Sequence, residues 1–565
     1  MPNLATLSLF LLAVTSAAAW KDQCEKFTVK SLDGVQLVKA IYYDANAFVN
    51  ITTPLQSITS SQLPAFCRLQ LNLTTNAATG KAAYSELWLP DAWNSRTLGF
   101  GNGGWSGGVP VADIGLNGVA QGYAGYGTNT GHDSPSRDGT WGGPRNDDGI
   151  IDFAYRALHV TTVVAKQLTA QYYGYAHTKS YHLACSTGGR QGIKAMAAFP
   201  EDYDGVVIGS PANAMARLQP WSIHQGLNVQ PVNSSRWITP QLWTVIHKAA
   251  LDQCDQLDGV KDGVISNPAA CNFRPELLTC RQGSNTSECL NLDQIEALRK
   301  LYSPYLDADQ NWIFSPYVPG GELGYPTGLA TAQPFQISTD YYKYFVLNDT
   351  NWDFRTLNAS TIDLGIKLNP GQMDTNVPDL TAFFARGGKV IQYVGWNDQL
   401  ISPGNSIRQI KWYKDVYAYT LANSNLDPNE HFMLITVPAM THCNGGEGAW
   451  VFGAAGQRST APPLQPGPQY DVQAAMVGWL ENNRTVDYIV STKYKNDNAT
   501  AGVSFTRKLC PTTVTSKFLA FGTILFVKSN NKKRERGDYD KYLGGVRPED
   551  AHKLGNNHPG FRYKV

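Results

Sequence analysis

The 565-residue sequence predicts an α/β fold in which helices cover a mostly parallel β-sheet and a large lid is inserted into the chain. Two observations carry this prediction. Short apolar segments ending in Gly-rich turns recur before stretches with helical periodicity, the pattern of strands alternating with helices. From about Ser210 to Gly388, Pro- and Trp-containing loops and four cysteines replace that pattern. This interval is far longer than the roughly 30 residues of one β-α-β unit, so we interpret it as an inserted lid.

The apolar segments give the expected strands. They are Thr97–Gly101, Gly122–Gly127, Tyr181–Cys185, Gly205–Ile208, Lys389–Val394 and Phe432–Val437. Between Asp148 and Tyr173, apolar and small residues such as Ile151, Leu158 and Ala165 recur at helical spacing. This spacing predicts a long helix that covers one face of the sheet.

The N-terminus has the features of a secretory signal peptide. An apolar run from Leu4 to Val14 precedes an A-x-A cleavage pattern at Ala17 and Ala19, so cleavage is expected before Trp20. No other stretch is long enough to span a membrane. We divide the chain into the signal peptide (1–19), the first part of the α/β domain (20–209), the lid (210–388), the second part of the α/β domain (389–510) and an atypical tail (511–565).

Sequons and cysteines behind that signal peptide predict a glycosylated, secreted extracellular protein. Eight N-x-[ST] sequons are present, at Asn50, Asn72, Asn233, Asn285, Asn348, Asn358, Asn483 and Asn498. Nine cysteines in an oxidising compartment are expected to form mostly disulfides, and the odd number leaves one without a partner.

The composition excludes two classes of protein. The 47 basic and 46 acidic side chains nearly cancel, whereas a nucleic-acid-binding protein needs a field of uncompensated Lys and Arg. An aromatic content of 11% supplies ample apolar surface for a core and excludes a disordered chain. Aromatic richness of this kind suits an extracellular protein that binds carbohydrates or phenols.

Ser186 is a candidate nucleophile because of its position on a predicted strand-to-helix turn. The segment YHLAC leads directly into STGGRQGIKAMAAFP, which starts helical. Small residues two positions before and after the serine, Ala184 and Gly188, let the chain bend sharply, as in a nucleophile elbow. The helix N-terminus also favours developing negative charge. Small residues in an ordinary turn explain a lone S-x-G equally well, so the assignment depends on partners for the serine.

Asp398 and His442 are the candidate partners. Each follows a predicted strand, in the chain order Ser, Asp, His that this fold uses. Taken singly, Asp398 is equally explained as a loop cap and His442 as a surface histidine. However, Cys185 directly precedes Ser186 and Cys443 directly follows His442. If these cysteines pair, with Cα atoms about 5.5 Å apart, the hydroxyl and the imidazole become neighbours. We therefore predict a Ser-His-Asp triad.

Three of these segments, CSTGGRQG, GWNDQLISP and HCNGGEG, resemble the fungal tannase and feruloyl esterase family, and its feruloyl esterase branch more closely. The resemblance extends up to about Cys510 and includes GNGGWSGG, GTNTGHD and FPEDYDGVVIGSPA. It implies an α/β-hydrolase fold with a large inserted lid. It also implies triad roles for Ser186, Asp398 and His442, and a disulfide between Cys185 and Cys443.

The oxyanion hole of such an enzyme needs two N–H donors. One is expected from Thr187, directly after the nucleophile, and the other from the Gly-rich segment GNGGWSGG, where Gly103 and Gly104 remain alternatives. An ordinary tight turn is the competing interpretation of that segment. No dinucleotide-binding or phosphate-binding motif is present, so no organic cofactor is expected.

The segment CDQLDGVKDGVISNPAAC is a candidate calcium loop. It holds Asp255, Asp258 and Asp262 close together, with glycines that allow turns, and Ca²⁺ takes oxygen ligands of this kind. A solvated acidic turn explains the composition equally well. The resemblance favours one structural Ca²⁺ in the lid, held by these three carboxylates and by the carbonyls of Val260 and Val264.

The resemblance, together with spacing, also implies the other cysteine pairs, Cys254–Cys271, Cys280–Cys289 and Cys24–Cys67. Cys510 is left unpaired, although the family has another cysteine close to the C-terminus. After Cys510 an apolar run and then a basic run match nothing in the family, which suggests a translated intron or an insertion.

The expected function is a secreted serine esterase that releases ferulic or related hydroxycinnamic acids from plant cell-wall esters through an acyl-enzyme. Two alternatives stay open: a tannase that cleaves gallate esters, and a non-catalytic secreted protein that binds phenolics or glycans. The expected partner is a phenolic ester of plant origin, with no nucleic acid and no membrane.

Overall fold

A computed structural model describes residues 18–144, 146–407, 412–485 and 487–512, without the side chains of Ser406 and Ile407. The predicted signal peptide lies outside the described residues except for its last two positions, which belong to a helix covering residues 18–25. The predicted tail lies outside them from residue 513 onward.

Within the described part of the chain, ten strands form one sheet in the order β1-β4-β5-β7-β6-β8-β9-β12-β13-β16, and three pairs of strands form small separate sheets. The strands are β1 (Val35–Tyr43), β2 (Val49–Thr52), β3 (Ser57–Ser60), β4 (Phe66–Asn76), β5 (Lys81–Pro90), β6 (Arg96–Phe100), β7 (Ala124–Thr128), β8 (Lys179–Cys185), β9 (Gly205–Gly209), β10 (Tyr305–Leu306), β11 (Trp312–Phe314), β12 (Lys389–Gly395), β13 (Phe432–Val437), β14 (Ile489–Tyr494), β15 (Val503–Leu509) and β16 (Pro511–Thr512).

The centre of the sheet is parallel and its ends are antiparallel. Strands β7, β6, β8, β9, β12 and β13 pair in parallel, and these are the strands predicted from the sequence. Parallel strands covered on both faces are apolar throughout, which made them visible in the sequence. The antiparallel pairs of β1 with β4, β4 with β5, β5 with β7, and β13 with β16 were not predicted.

The helices are α1 (residues 18–25), α2 (Val111–Asp113), α3 (Asp147–Ile151), α4 (Ala157–Tyr173), α5 (Thr187–Ala198), α6 (Met215–Val229), α7 (Pro240–Cys254), α8 (Leu292–Leu301), α9 (Gln336–Asp340), α10 (Ala359–Leu368), α11 (Thr381–Ala385), α12 (Gly404–Ile407), α13 (Trp412–Asn423) and α14 (Val472–Asn482). None of the helices in the described ranges is both long and apolar enough to cross a membrane.

The long helix predicted over 148–173 exists but is interrupted. A π-helical turn at Asp152–Arg156 separates α3 from α4. The Asn146 side chain caps the start by accepting the N–H of Gly149 at 3.1 Å, and Gly174 ends the helix in the left-handed conformation with φ 80°. The buried face of α4 packs against β7 and β5 and so covers one side of the sheet.

The lid leaves and re-enters the sheet between two neighbouring strands. Strand β9 ends at Gly209, β12 begins at Lys389, and the two pair in parallel with Gly205 opposite Lys389. The intervening residues form α6 to α11 and the β10–β11 pair. An insertion at this point adds residues at the carboxyl end of β9, which is the end of a parallel sheet where ligands bind.

Four disulfides join the cysteines in the pairs that the resemblance implied: Cys24–Cys67, Cys185–Cys443, Cys254–Cys271 and Cys280–Cys289. Cys510 is exposed and has no disulfide partner among the residues described here.

Candidate active site

Ser186 occupies the sharp turn between β8 and α5. Its backbone has φ 62° and ψ −125°, a conformation that L-residues rarely adopt. The turn is held on both sides, because the Ser186 N–H donates to the carbonyl of Gly209 at 2.9 Å and the Ser186 carbonyl accepts the N–H of Ala212 at 3.2 Å. A Cβ at Gly188 would come within 2.7 Å of the Ala184 side chain, so the turn requires glycine there. This geometry places Ser186 at the carboxyl end of β8, as expected for a nucleophile elbow.

Asp398 is fixed by backbone donors just beyond β12. One carboxylate oxygen accepts the N–H groups of Leu400 and Ile401 at 3.0 and 2.9 Å. The other oxygen lies 2.8 Å from Nδ1 of His442. Asp398 is buried, so its carboxylate is held in one orientation, with one oxygen directed at His442.

His442 lies on a tight loop after β13, at residues 439–448. Within the loop, the Thr441 N–H donates to the carbonyl of Gly445 at 3.2 Å, and Met440 forms a β-bridge with Gly446. The backbone N–H of His442 donates to the side-chain carbonyl of Gln399 at 3.0 Å. Since Nδ1 faces Asp398, the other ring nitrogen, Nε2, is left to face a reactant.

The disulfide beside these residues brings the two loops together. The Cα atoms of Cys185 and Cys443 are 6.0 Å apart. Cys443 has φ 66°, and Ser186, which follows Cys185, has φ 62°, so both residues have positive φ values. The covalent link therefore joins two strained turns, one bearing Ser186 and the other His442.

Ser186 and His442 both line one cavity of about 460 Å³. Its volume lies within the range of about 300 to 1,000 Å³ that small-molecule sites have. Lid residues supply mainly apolar walls, including Met215, Leu218, Phe335 and Ile337, whereas the rest of the lining carries many polar side chains, among them Arg137 and Asn444. The cavity is therefore apolar mainly on the side of the lid, and polar side chains line much of the remainder.

The Gly-rich segment forms the edge of this cavity next to α5. Gly103, Gly104 and Thr187 all line the cavity, and the Thr187 hydroxyl donates to the Gly104 carbonyl at 3.0 Å. The segment is further held because the Asn102 N–H donates to the Gln191 side chain at 3.0 Å. Thus the candidate oxyanion donors lie on two elements that are tied together, Thr187 on α5 and the glycines on the Gly-rich segment.

The two glycines differ in what they tolerate. Gly104 has φ 55°, and a Cβ there would lie 2.4 Å from the carbonyl oxygen of Ser136, so the backbone itself requires glycine. A Cβ at Gly103 would meet only the Leu55 side chain, at 3.6 Å. The free space at Gly103 belongs to the cavity, so a side chain there would compete with a ligand.

The acidic loop is arranged differently from a cation site. Asp255 accepts the N–H groups of Asp262 and Gly263 at 3.3 and 3.0 Å, and Asp258 accepts the N–H of Val260 at 3.0 Å. The Asp262 carboxylate is paired with Arg507 of β15. Among the residues that the structure describes, no group of three or more His, Cys, Asp or Glu side chains is placed to hold a metal ion.

These contacts do not fit the predicted calcium ligand set as it stands. Asp255, Asp258 and Asp262 point their oxygens at backbone N–H groups and an arginine, and Val260 is 53% exposed whereas Val264 is 3% exposed. Calcium binding by this loop stays a prediction and enters no step of the chemistry below.

Some positioning residues were not predicted from the sequence. Gln399 accepts the His442 N–H, and Gln191 holds the Gly-rich segment. Gln399 directly follows Asp398 in the segment GWNDQLISP, and Gln191 lies one turn after Ser186 in CSTGGRQG, so both were visible only as neighbours of the candidate residues.

The asparagines of the predicted sequons are exposed, at Asn50, Asn72, Asn233, Asn285, Asn348, Asn358, Asn483 and Asn498.

The chain is similar to proteins of one known family. Residues 74–531 match the family model described as tannase and feruloyl esterase, so the match extends beyond Cys510 into the segment interpreted above as atypical. A probable feruloyl esterase B-2 from Aspergillus oryzae is 34% identical over 521 residues, which cover 90% of this chain and 96% of that protein.

Solved structures give the same relationship. A crystal structure of feruloyl esterase B from Aspergillus oryzae superposes with a TM-score of 0.79 at 32% identity, covering 87% of this chain and 95% of the other. Tannin acyl hydrolase from Aspergillus niger has a TM-score of 0.67 at 21% identity, with 88% and 91% of the chains covered, which is a likeness of fold.

Proposed function

The chain belongs to the tannase and feruloyl esterase family of carboxylic ester hydrolases, and from this premise we propose that it is a secreted serine esterase that releases hydroxycinnamic acids from plant phenolic esters. The single observation that carries the proposal is the arrangement around the cavity. Ser186 lies on a strained strand-to-helix turn, and His442, oriented by Asp398 at 2.8 Å, lines the same cavity.

In the proposed reaction Ser186 attacks the ester carbonyl while Nε2 of His442 takes its proton. Asp398, facing Nδ1, keeps the imidazole in the tautomer that leaves Nε2 free to accept, and stabilises the imidazolium that forms. His442 then protonates the departing alcohol. Water activated by the same histidine attacks the acyl-enzyme and releases the carboxylic acid.

The negative charge on the tetrahedral intermediate needs preorganised donors. We assign these to the N–H of Thr187, at the N-terminus of α5, and to an N–H of the Gly-rich segment, with Gly103 favoured over Gly104. Gly103 is favoured because the space beside it belongs to the cavity. Gly104 must be glycine for a different reason, because its φ is positive and a Cβ there would clash with the Ser136 carbonyl. Gly103→Ala is therefore expected to fold normally and to lose kcat/KM, because its methyl group occupies the space of the reacting carbonyl.

Ferulate and related acids are proposed as the acyl group on two grounds. The cavity walls from the lid are mainly apolar and also carry the polar side chains of Gln219, Ser222 and Thr327, which suits an aromatic ring with small polar substituents. The relative that is 34% identical is named a probable feruloyl esterase, whereas the tannin acyl hydrolase resembles the chain in fold at 21% identity.

The first experiment compares hydrolysis of methyl ferulate and methyl gallate by the full chain secreted from a fungal host. Ser186→Ala tests the nucleophile. Ser222→Ala is the matched control, because it removes another hydroxyl that lines the cavity but that donates to the Leu218 carbonyl at 2.9 Å. Preference for ferulate that disappears in Ser186→Ala alone supports the proposal.

Two other outcomes would redirect the proposal. Preference for gallate keeps the serine mechanism and makes the enzyme a tannase. Folded protein that cleaves neither ester would contradict the serine esterase and favour a secreted binding protein for phenolics or glycans.

Secretion is part of the same proposal and is supported by the four disulfides and by the exposure of the sequon asparagines. We expect the protein to be recovered from the culture medium with an N-terminus at Trp20. We also expect its electrophoretic mobility to increase after enzymatic removal of N-glycans. Retention in the cell with an intact N-terminus would contradict it.

A further inference from the structure

A buried histidine of the lid bridges two carboxylates from different parts of the chain. His247, on α7, has Nδ1 2.9 Å from Glu322 and Nε2 3.0 Å from Glu447. The first contact has hydrogen-bond geometry, and the second is an ion pair that does not meet the geometry of a hydrogen bond. We call His247, Glu322 and Glu447 the histidine clasp.

One end of the clasp is anchored in the lid. Glu322 is fully buried, and its carboxylate accepts the Tyr302 hydroxyl at 2.6 Å and the Gly320 N–H at 2.9 and 3.0 Å. A buried carboxylate needs such partners, because an unpaired buried charge is costly. Glu322 is thus a rigid support against which His247 is held.

The other end of the clasp belongs to the loop that carries His442. Glu447 lies on that tight loop, and the N–H of the next residue, Gly448, donates to the Ala439 carbonyl at 3.2 Å. With the Met440–Gly446 bridge, this makes residues 439–448 a closed unit, so that a force on Glu447 is carried to His442.

The clasp also reaches the loop of the acid. The carbonyl of Gly320, whose N–H is bound by Glu322, accepts the side-chain amide of Asn397 at 2.6 Å. Asn397 directly precedes Asp398, and its own N–H donates to the Met440 carbonyl at 2.9 Å. The lid is therefore connected through polar contacts to both loops that present the imidazole and its carboxylate.

The charges around His247 favour the imidazolium. Burial lowers the pKa of His247, but the side-chain contacts and negative charges of Glu322 and Glu447 outweigh burial and raise its pKa to about 9. Below that pH the clasp is a cation between two anions.

The other ionisable groups nearby leave this balance in place. The phenols of Tyr302 and Tyr325 face Glu322, and their pKa values are raised mainly by burial, so both stay neutral. Beside Glu447, the ammonium group of Lys493 donates to the Gly446 carbonyl at 2.6 Å and to Asp497 at 2.7 Å.

We propose that His247 is a positioning residue for the esterase reaction: by bridging Glu322 of the lid and Glu447 of the histidine loop, it fixes the loop that presents His442 to Ser186. The inference rests on the proposed function and deepens it. It assigns to the lid a role in aligning the general base, besides its role as a wall of the cavity. It follows that the catalytic rate falls at alkaline pH when His247 loses its proton.

The test uses His247→Gln, Glu447→Gln and their double variant in the full chain. Glutamine keeps the approximate size and polar character of each side chain but removes its charge. His159→Gln is the matched control, because His159 makes a similar ion pair with Asp202, at 2.9 Å, away from the cavity lining. Melting temperature between pH 6 and pH 10, and kcat and KM for methyl ferulate and for p-nitrophenyl acetate, are measured for each.

His247→Gln is expected to lower kcat about 3- to 30-fold at pH 7 while KM stays within about twofold, since a coupling residue changes alignment more than binding. The double variant should lose little more than either single variant. The melting temperature gap between wild type and His247→Gln should be full below about pH 6.5, the ordinary histidine pKa, and should close as the pH rises through about 9.

Measuring both kcat and the melting temperature separates failure of the inference from failure of the proposed function. Unchanged kcat and an unchanged alkaline limb in folded His247→Gln, while Ser186→Ala is inactive, overturn the positioning role. A melting temperature gap that does not depend on pH overturns the clasp itself, whether or not the protein cleaves esters. Equal losses of kcat in His159→Gln would assign the effect to removal of any paired histidine and would also overturn the inference.

Discussion

Removal of the Cys185–Cys443 disulfide is expected to cost stability and catalytic rate together. The perturbation is the double substitution Cys185→Ala and Cys443→Ala. The sequence separation of 258 residues corresponds to about 5.6 kcal/mol of loop-closure entropy in the unfolded chain. Since this bond also joins the turns of Ser186 and His442, relaxation of either turn by about 1 Å is expected to lower kcat about 100-fold.

The matched control is removal of the half-buried lid disulfide Cys280–Cys289. Its sequence separation of 9 residues corresponds to about 2.6 kcal/mol on the same relation. The control should therefore lose stability by less than half as much and keep its kcat. Equilibrium denaturation gives the stabilities, and steady-state hydrolysis of methyl ferulate gives kcat.

A variant without Cys185–Cys443 that kept kcat within about twofold of wild type would show that this disulfide does not align the two catalytic turns. In that case the strained turns would hold Ser186 and His442 by their hydrogen bonds alone. Equal losses of stability in both double variants would instead refute the entropic estimate, without bearing on the alignment of the two catalytic loops.

Three further predictions follow from the site. Asp398→Asn is expected to lower kcat about 10⁴-fold with little change in KM, because an amide at Nδ1 of His442 favours the wrong tautomer, and single-turnover kinetics would check it. Gly104→Ala is expected to destabilise the fold by at least about 1 kcal/mol, measured by denaturant unfolding, because its φ is 55° and the new methyl group would meet the Ser136 carbonyl at 2.4 Å. Calcium binding by the acidic loop stays a prediction of the sequence: a melting temperature of chelator-treated protein that rises on addition of calcium, and does not rise in Asp258→Asn, would support it, whereas no response in wild type would exclude it.

The parallel centre of the sheet was predictable because each strand there is buried on both faces. An apolar run such as that of β13, predicted at Phe432–Val437 and found with the same bounds, stands out from its surroundings. The antiparallel strands were not visible, because the first four residues of β1 alternate between half-buried and exposed, no residue of β1 is fully buried, and Lys39 places a charge in its middle. Their pairing depends on contacts with distant strands, which the local pattern does not contain.

The candidate site was predictable where chemistry is local in sequence. The small residues around its turn mark Ser186 as a candidate in the sequence. The cysteines beside Ser186 and His442 form a disulfide that links two segments far apart in the chain. The acidic loop shows the limit of this approach. Three carboxylates close in sequence suggested a cation site, but the partner of Asp262 is Arg507, from a strand far along the chain.

Three of the contacts that hold the loop of His442 differ in their chemistry. A disulfide joins it to the turn of Ser186, the Gln399 side chain joins it to the loop of Asp398, and Glu447 joins it to the lid through His247. A strained turn stays in place only when the surrounding structure over-determines it. The disulfide is broken by reductant, the Gln399 contact by removal of its side-chain amide, and the Glu447–His247 contact by alkaline pH. Each of these changes should therefore lower kcat under its own condition. KM should change only where the wall of the cavity moves as well. The alkaline response is the most specific of the three, since it requires a buried imidazolium whose partners come from both the lid and the catalytic loop.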